Sequence, residues 1–138
     1  MINSRKDEVV KKRMEGYNCA QAVACTYCDM VDVDEQTMFK LTEGLGTGMG
    51  NMKGTCGAIA GACVIAGLAN SNGDMEKKDS KMSTGKLSKA IMQSFEERNK
   101  AVTCMELKGV GTGKVLRACP DCVGDAAEFL EKIVLDNK

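Results

Sequence analysis

The chain of 138 residues contains no histidine and no tryptophan, and it has a single proline. Without histidine, imidazole cannot serve as a general base or as a metal ligand, which excludes much of ordinary acid–base and zinc chemistry. Lysine and arginine together number 19, as do aspartate and glutamate, so the formal net charge is zero. Since a nucleic-acid-binding protein usually carries a basic excess, the sequence predicts no nucleic-acid partner.

Long hydrophobic runs are also missing. The most apolar segment, 56–69, is shorter than the about 20 residues that a helix needs to cross a bilayer. The first residues are charged and no hydrophobic stretch follows them, unlike a secretory signal. We therefore expect a cytoplasmic protein with no membrane partner, in a compartment where thiols are mostly kept reduced.

Helix formers dominate the chain, and the alternating pattern of strands is absent. The sequence predicts an all-α fold: one helical domain over residues 1–138, built as a compact bundle of five or six helices. Six glycines between 44 and 57 predict a loop with unusual backbone angles or close approaches. A central apolar helix, about 56–69, should follow this loop, with Gly57 and Gly61 giving it a flat face for close packing.

The remaining helix boundaries come from capping residues and from the spacing of apolar side chains. Asn18 is expected to cap a second helix, and Asp32 or Asp34 a third. Residues 70–84 are polar and predict a surface loop. The expected helices, besides the central one, are 4–15, 19–30, a third around Met38 and Leu41, 86–102, a short turn at 104–108, and 120–137.

What the chain does contain is eight cysteines, which in a cytoplasmic protein indicate redox activity or metal binding more than a disulfide scaffold. Four of them fall at predicted helix starts, where free N–H groups and the helix dipole lower the pKa of a thiol. Cys19 follows Asn18, Cys56 follows Thr55 and Cys104 follows Thr103. Cys119 directly precedes Pro120, the only proline. The alternative is that each is a small buried apolar residue.

The other four cysteines, Cys25, Cys28, Cys63 and Cys122, are expected to be structural. Cys25 and Cys28 should project away from Cys19 on the same helix. Of the two C-x-x-C pairs, Cys119-Pro-Asp-Cys122 resembles a thioredoxin-like pair in opening a helix with proline inside. However, no predicted strand precedes it, as one does in thioredoxin-like pairs. A zinc ribbon is also disfavoured, because the two C-x-x-C pairs are widely separated in the sequence.

Four separated sequence blocks resemble one known family. They are Gly16-Tyr17-Asn18-Cys19-Ala20-Gln21-Ala22-Val23, Cys56-Gly57-Ala58-Ile59-Ala60-Gly61-Ala62, Cys104-Met105-Glu106-Leu107 and Cys119-Pro120. In this order they resemble the putative redox-active proteins named for the pattern C_GCAxxG_C_C. The family pattern has glycine before the central cysteine, whereas here Thr55 precedes Cys56. The resemblance implies a small all-helical fold and a functional set of Cys19, Cys56, Cys104 and Cys119.

Three hypotheses for the function remain open. The first is redox chemistry by clustered thiols, either electron transfer or the exchange catalysed by a thiol–disulfide oxidoreductase, with Cys56 or Cys119 attacking and a second cysteine resolving the mixed disulfide. The second is an iron–sulfur cluster or a zinc ion bound by the four cysteines of the functional set. The third is a helical interaction domain with structural cysteines. The redox partner is not specified by the sequence, which also leaves a homo-oligomer open.

Overall fold

The protein is described by a computed structural model over residues 2–137; Met1 and Lys138, the ends of the expected domain 1–138, lie outside the described residues. Within 2–137 the chain forms seven helices and no strand, which confirms the all-α prediction. A 3-10 turn, Cys28–Val31, extends the second helix, and a π-helical turn, Glu131–Leu135, extends the last. The helices are α1 Lys6–Met14, α2 Cys19–Tyr27, α3 Glu35–Glu43, α4 Gly57–Asn70, α5 Lys81–Asn99, α6 Cys104–Lys108 and α7 Cys119–Leu130.

The core of the protein is built around α2 and α4, which pack against each other. Every residue of α2 is buried. The apolar helix α4 also packs against α5 and α7, so it occupies the centre of the bundle, as its composition predicts. Its fully buried side chains are Ala58, Ile59, Ala62, Ile65 and Ala66.

Close packing of α2 on α4 depends on Gly61. A Cβ atom at this position would lie 2.5 Å from the carbonyl oxygen of Ala20 and 3.1 Å from its Cα. The neighbouring atoms belong to the backbone of α2 and cannot rotate away. Glycine therefore allows the two helices to approach more closely than any other residue would permit.

Local capping explains the starts of α2 and α3. Asn18 and Gln21 form a reciprocal capping box, in which the Asn18 side chain accepts from the Gln21 N–H at 2.9 Å. Asp34 caps α3 by accepting from the Thr37 N–H at 2.9 Å. Of the two caps proposed for the third helix, Asp34 is therefore the one used, while Asp32 adopts a left-handed conformation and ends the preceding 3-10 turn.

The fifth helix begins at Lys81, five residues before the predicted start, so the expected loop at 70–84 is too long. Ser83 and Thr84 suggested a loop, but both are inside α5. The Asn70 side chain, at the end of α4, donates to their hydroxyl oxygens at 2.9 Å each. These contacts between helices stabilise a polar first turn that has little helical signal of its own.

The glycine-rich segment between α3 and α4 contains an unusual turn, Gly46–Met49. Thr47 has φ 54° and ψ 43° and Gly48 has φ 55° and ψ 47°, which are left-handed values. Met49 also has a positive φ of 62°. A left-handed conformation costs about 1–2 kcal/mol for each residue that carries a Cβ atom. The predicted unusual backbone angles are therefore found here, and within the Gly46–Met49 turn two of them fall on residues other than glycine.

None of the helices formed by residues 2–137 combines the length and the apolar character that a membrane span requires.

We predict that Gly61→Ala lowers the free energy of unfolding by about 1–3 kcal/mol, because the added methyl group overpacks the contact with Ala20. Gly85→Ala is the matched control. Gly85 lies inside α5, and nothing would touch its Cβ within 4 Å. Its replacement should stabilise the protein by up to about 1 kcal/mol through helix propensity. Urea unfolding followed by circular dichroism measures both changes, and equal effects at the two sites would contradict the packing argument.

Candidate functional site

Five cysteine side chains line one small cavity, of about 20 Å³. The other lining residues are Leu107, Lys108 and Arg117. The four cysteines predicted from helix starts are all among the five, so residues far apart in sequence meet in one place. The fifth is Cys122, which the sequence suggested to be structural. The five are Cys19, Cys56, Cys104, Cys119 and Cys122.

A short backbone contact brings the starts of α4 and α6 together. Thr55 and Thr103 form an isolated antiparallel bridge. Next to it, the Cys56 N–H donates to the Val102 carbonyl at 2.7 Å, and the Cys104 N–H donates to the Gly54 carbonyl at 3.1 Å. Cys56 and Cys104 therefore flank the same bridge, one on each bridged segment, although 48 positions separate them.

Cys19 enters the cavity from the first position of α2, next to its cap Asn18. Its Sγ atom lies directly against Gly57, where any Cβ atom would clash with the sulfur and would lie 2.9 Å from the Leu45 carbonyl oxygen. The Thr47 N–H, presented by the left-handed turn, donates to Cys19. The glycine that follows Cys56 thus makes room for the sulfur of Cys19.

Two predicted helix starts are displaced by one residue. Cys56 is itself the N-cap of α4, where Thr55 was expected, because Thr55 is engaged in the bridge to Thr103. The last helix begins with Cys119 instead of Pro120, and Ala118 is its N-cap. Cys19 and Cys104 are the first residues of α2 and α6, as predicted.

Cys119 carries the most strongly activated thiol of the cavity. A hydrogen bond from Cys19 lowers the pKa of Cys119, whereas burial of the thiol raises it. Arg13 lowers the pKa further through a hydrogen bond and its positive charge, so that the pKa falls to about 5. The Arg13 Nε atom lies 3.1 Å from the sulfur. In the same contact the pKa of Cys19 is raised, because its proton is held between the two sulfurs and because it is buried. Cys119 is half-buried, whereas the other four cavity cysteines are buried.

Cys56 and Cys122 interact as a second pair of thiols, and the Cys122 sulfur also lies 3.7 Å from the Arg117 carbonyl oxygen, within reach for donation. A hydrogen bond from Cys122 and the N–H groups of Ala58 and Ile59 lower the pKa of Cys56 despite its burial. The pKa of Cys122 is raised in return by that hydrogen bond and by burial. The donors from Ala58 and Ile59 are the free N–H groups at the start of α4, which is the effect predicted for a cysteine at a helix start.

The remaining thiols are held protonated. Burial raises the pKa of Cys104, which lies in the cavity beside Lys108. Outside the cavity, burial raises the pKa of Cys25 to about 11 and also raises the pKa values of Cys28 and Cys63. These last three cysteines take no part in lining the cavity.

Positive charge surrounds the cavity on several sides. Lys108 and Arg117 line it, and Arg13 reaches it from α1. Arg117 is fixed by the fully buried Asp125, with Nε at 3.0 Å from one carboxylate oxygen. Burial opposes the charge of Asp125, but hydrogen bonds from Arg117, Asn99 and Arg98 lower its pKa. No sequence pattern points to Arg13, since it lies 106 positions from Cys119.

A metal ion or cluster needs several ligand atoms that converge on one point. Within residues 2–137, no three cysteine, aspartate or glutamate side chains are placed so as to bind one ion. Four of the five cavity thiols interact as two couples, Cys19 with Cys119 and Cys56 with Cys122.

By its fold and its site, the protein is a small all-helical bundle with a cluster of cysteines at helix starts. The family model described as putative redox-active protein (C_GCAxxG_C_C) matches residues 17–133. The chain therefore belongs to this redox-active family. Neither the curated proteins nor the solved structures include a match to the chain.

We predict that Arg13→Met raises the pKa of Cys119 from its value of about 5, because a hydrogen bond and a positive charge are lost. Alkylation of Cys119 by iodoacetamide should therefore slow several-fold at pH 6 and hardly change at pH 9, where the thiolate dominates in both proteins. Lys11→Met removes the same charge from the exposed side of α1 and is the control. Peptide mass spectrometry measures the rates, and unchanged reactivity at pH 6 would contradict the role of Arg13.

Proposed function

We propose that the protein is a thiol–disulfide oxidoreductase in which Cys119 attacks the substrate and Cys19 resolves the mixed disulfide. The observation that supports it most directly is the contact of Arg13 with Cys119, the only half-buried sulfur of the cavity. A pKa of about 5 makes Cys119 a thiolate at neutral pH. Since thiolates are the species that attack disulfides, this sulfur is both reactive and the most accessible of the five.

The exchange proceeds in two displacements. The Cys119 thiolate attacks one sulfur of a substrate disulfide, forms a mixed disulfide and releases the first substrate thiolate. Cys19 then loses its proton and attacks the Cys119 sulfur. The second substrate sulfur leaves and takes up that proton. The protein ends with a Cys19–Cys119 disulfide, having given two electrons to the substrate.

The surroundings of the pair suit this reaction. Cys104 keeps its proton and so does not compete as a nucleophile with Cys119. The reaction requires reduced thiols at rest, which fits a cytoplasmic protein. We also infer that residues 1–138 form one helical domain. Within it, α2, α4, α6 and α7 together form the cavity.

We predict that Cys119→Ser reduces the rate of disulfide reduction by at least about 100-fold, because the hydroxyl group is not ionised at neutral pH. The assay is the release of 2-mercaptoethanol from hydroxyethyl disulfide by the reduced protein. Cys63→Ser is the control, since Cys63 is outside the cavity and should leave the rate unchanged. Full activity of Cys119→Ser would contradict the proposed nucleophile.

The second hypothesis from the sequence, a metal centre, has its own test. We predict well under one iron or zinc atom per chain in protein purified without oxygen, because the thiols are arranged as pairs. Elemental analysis measures the content. Stoichiometric iron, with a brown colour that Cys104→Ser removes, would favour a cluster bound by the cavity cysteines over thiol exchange.

A further inference from the structure

We propose that Cys56 and Cys122 are a second exchange-active dithiol, which reduces the Cys19–Cys119 disulfide inside the cavity. The inference rests on the proposed function of Cys19 and Cys119 and extends it. It makes the protein a store of two electron pairs, so that one chain can reduce two substrate disulfides before it is reduced again. It also gives a chemical role to Cys122, which was expected from the sequence to be structural.

Both thiol pairs belong to the same cavity, but they differ in access. Cys56 and Cys122 are 5% and 2% exposed, whereas Cys119 is half-buried. A substrate disulfide in solution can therefore reach Cys119 and not the second pair. A disulfide formed at Cys119, by contrast, lies within the cavity that Cys56 and Cys122 line. The second pair is thus placed to react with the first and shielded from other partners.

Cys19 lies close to the second pair. Its sulfur packs against Gly57, the residue that follows Cys56 in the chain. The Cys56 thiolate, where it forms, also acts on Cys19 and helps to raise the pKa of Cys19. Cys19 therefore interacts with Cys119 and also lies against the start of α4, next to Cys56, which makes its sulfur an atom that the second pair can attack.

The internal transfer balances without any further reagent. The Cys56 thiolate attacks the Cys19 sulfur, and Cys119 leaves as a thiolate, which its low pKa favours. Cys122 then attacks the Cys56 sulfur, and Cys19 leaves with the proton that Cys122 gives up. The products are a Cys56–Cys122 disulfide, a Cys19 thiol and a Cys119 thiolate. Two electrons have moved from the second pair to the first.

The experiment counts substrate molecules reduced by each chain. Fully reduced protein, freed of reductant under nitrogen, is mixed with excess hydroxyethyl disulfide. The released 2-mercaptoethanol is quantified over time, and protein disulfides are mapped by mass spectrometry. We expect the natural sequence to reduce two disulfide molecules and to contain both Cys19–Cys119 and Cys56–Cys122 bonds at the end.

Two double variants separate the pairs. Cys56→Ser with Cys122→Ser should reduce one disulfide molecule and form only the Cys19–Cys119 bond. Cys19→Ser with Cys119→Ser should form the Cys56–Cys122 bond at least about 100-fold more slowly than the natural sequence, because substrate cannot reach the buried pair. Circular dichroism verifies folding. The single variant Cys122→Ser gives an independent readout, since it should accumulate a Cys19–Cys56 disulfide.

The outcomes distinguish the two proposals. If the natural sequence reduces one disulfide molecule and forms only the Cys19–Cys119 bond, the second dithiol is refuted and the proposed function remains. Rapid formation of Cys56–Cys122 without Cys19 and Cys119 would refute the internal transfer, and so would a Cys119–Cys122 bond in place of both pairs. If no substrate is reduced at all, the proposed function itself fails.

Discussion

The close contact between α2 and α4 is the constraint on which the cavity depends. Gly61 lies against the backbone of Ala20, and Gly57, one turn earlier, lies against the sulfur of Cys19. Because neither position carries a side chain, the first turns of the two helices meet, and Cys19 comes close to Cys56. A residue with a Cβ atom at either position would separate the helices and open the cavity that five cysteines now share.

The small size of the cavity decides how many of its thiols are charged. Several thiolates within about 20 Å³ would repel one another strongly, and burial adds a desolvation cost to each charge. Four of the five thiols form two pairs, and in each pair one sulfur has a lowered pKa because its partner donates a hydrogen bond. Arg13 stabilises one thiolate and the first N–H groups of α4 stabilise the other. Each charge therefore has its own donors.

The helical fold and four of the five cysteines in the cavity can be predicted from local signals in the sequence. Asn18 and Asp34 specify helix starts through contacts within their own first turns, so these starts can be predicted. The contacts that could not be predicted are between distant segments. The first turn of α5 depends on Asn70, and the lowered pKa of Cys119 depends in part on Arg13, so no spacing along the chain reveals either one. Cys122 was signalled only by its place three residues after Cys119.

In the proposed exchange, the strained turn before α4 gives Cys19 a donor whose effect is greatest after the first displacement. At rest the hydrogen bond to Cys119 keeps the proton on Cys19, and the Thr47 N–H opposes this only in part. When Cys119 enters a mixed disulfide its negative charge is gone, while the Thr47 donor remains in place. The pKa of Cys19 should then fall, so that this thiol becomes nucleophilic at the moment when it is needed. A left-handed backbone at a threonine is costly, and this gain gives a physical reason for it.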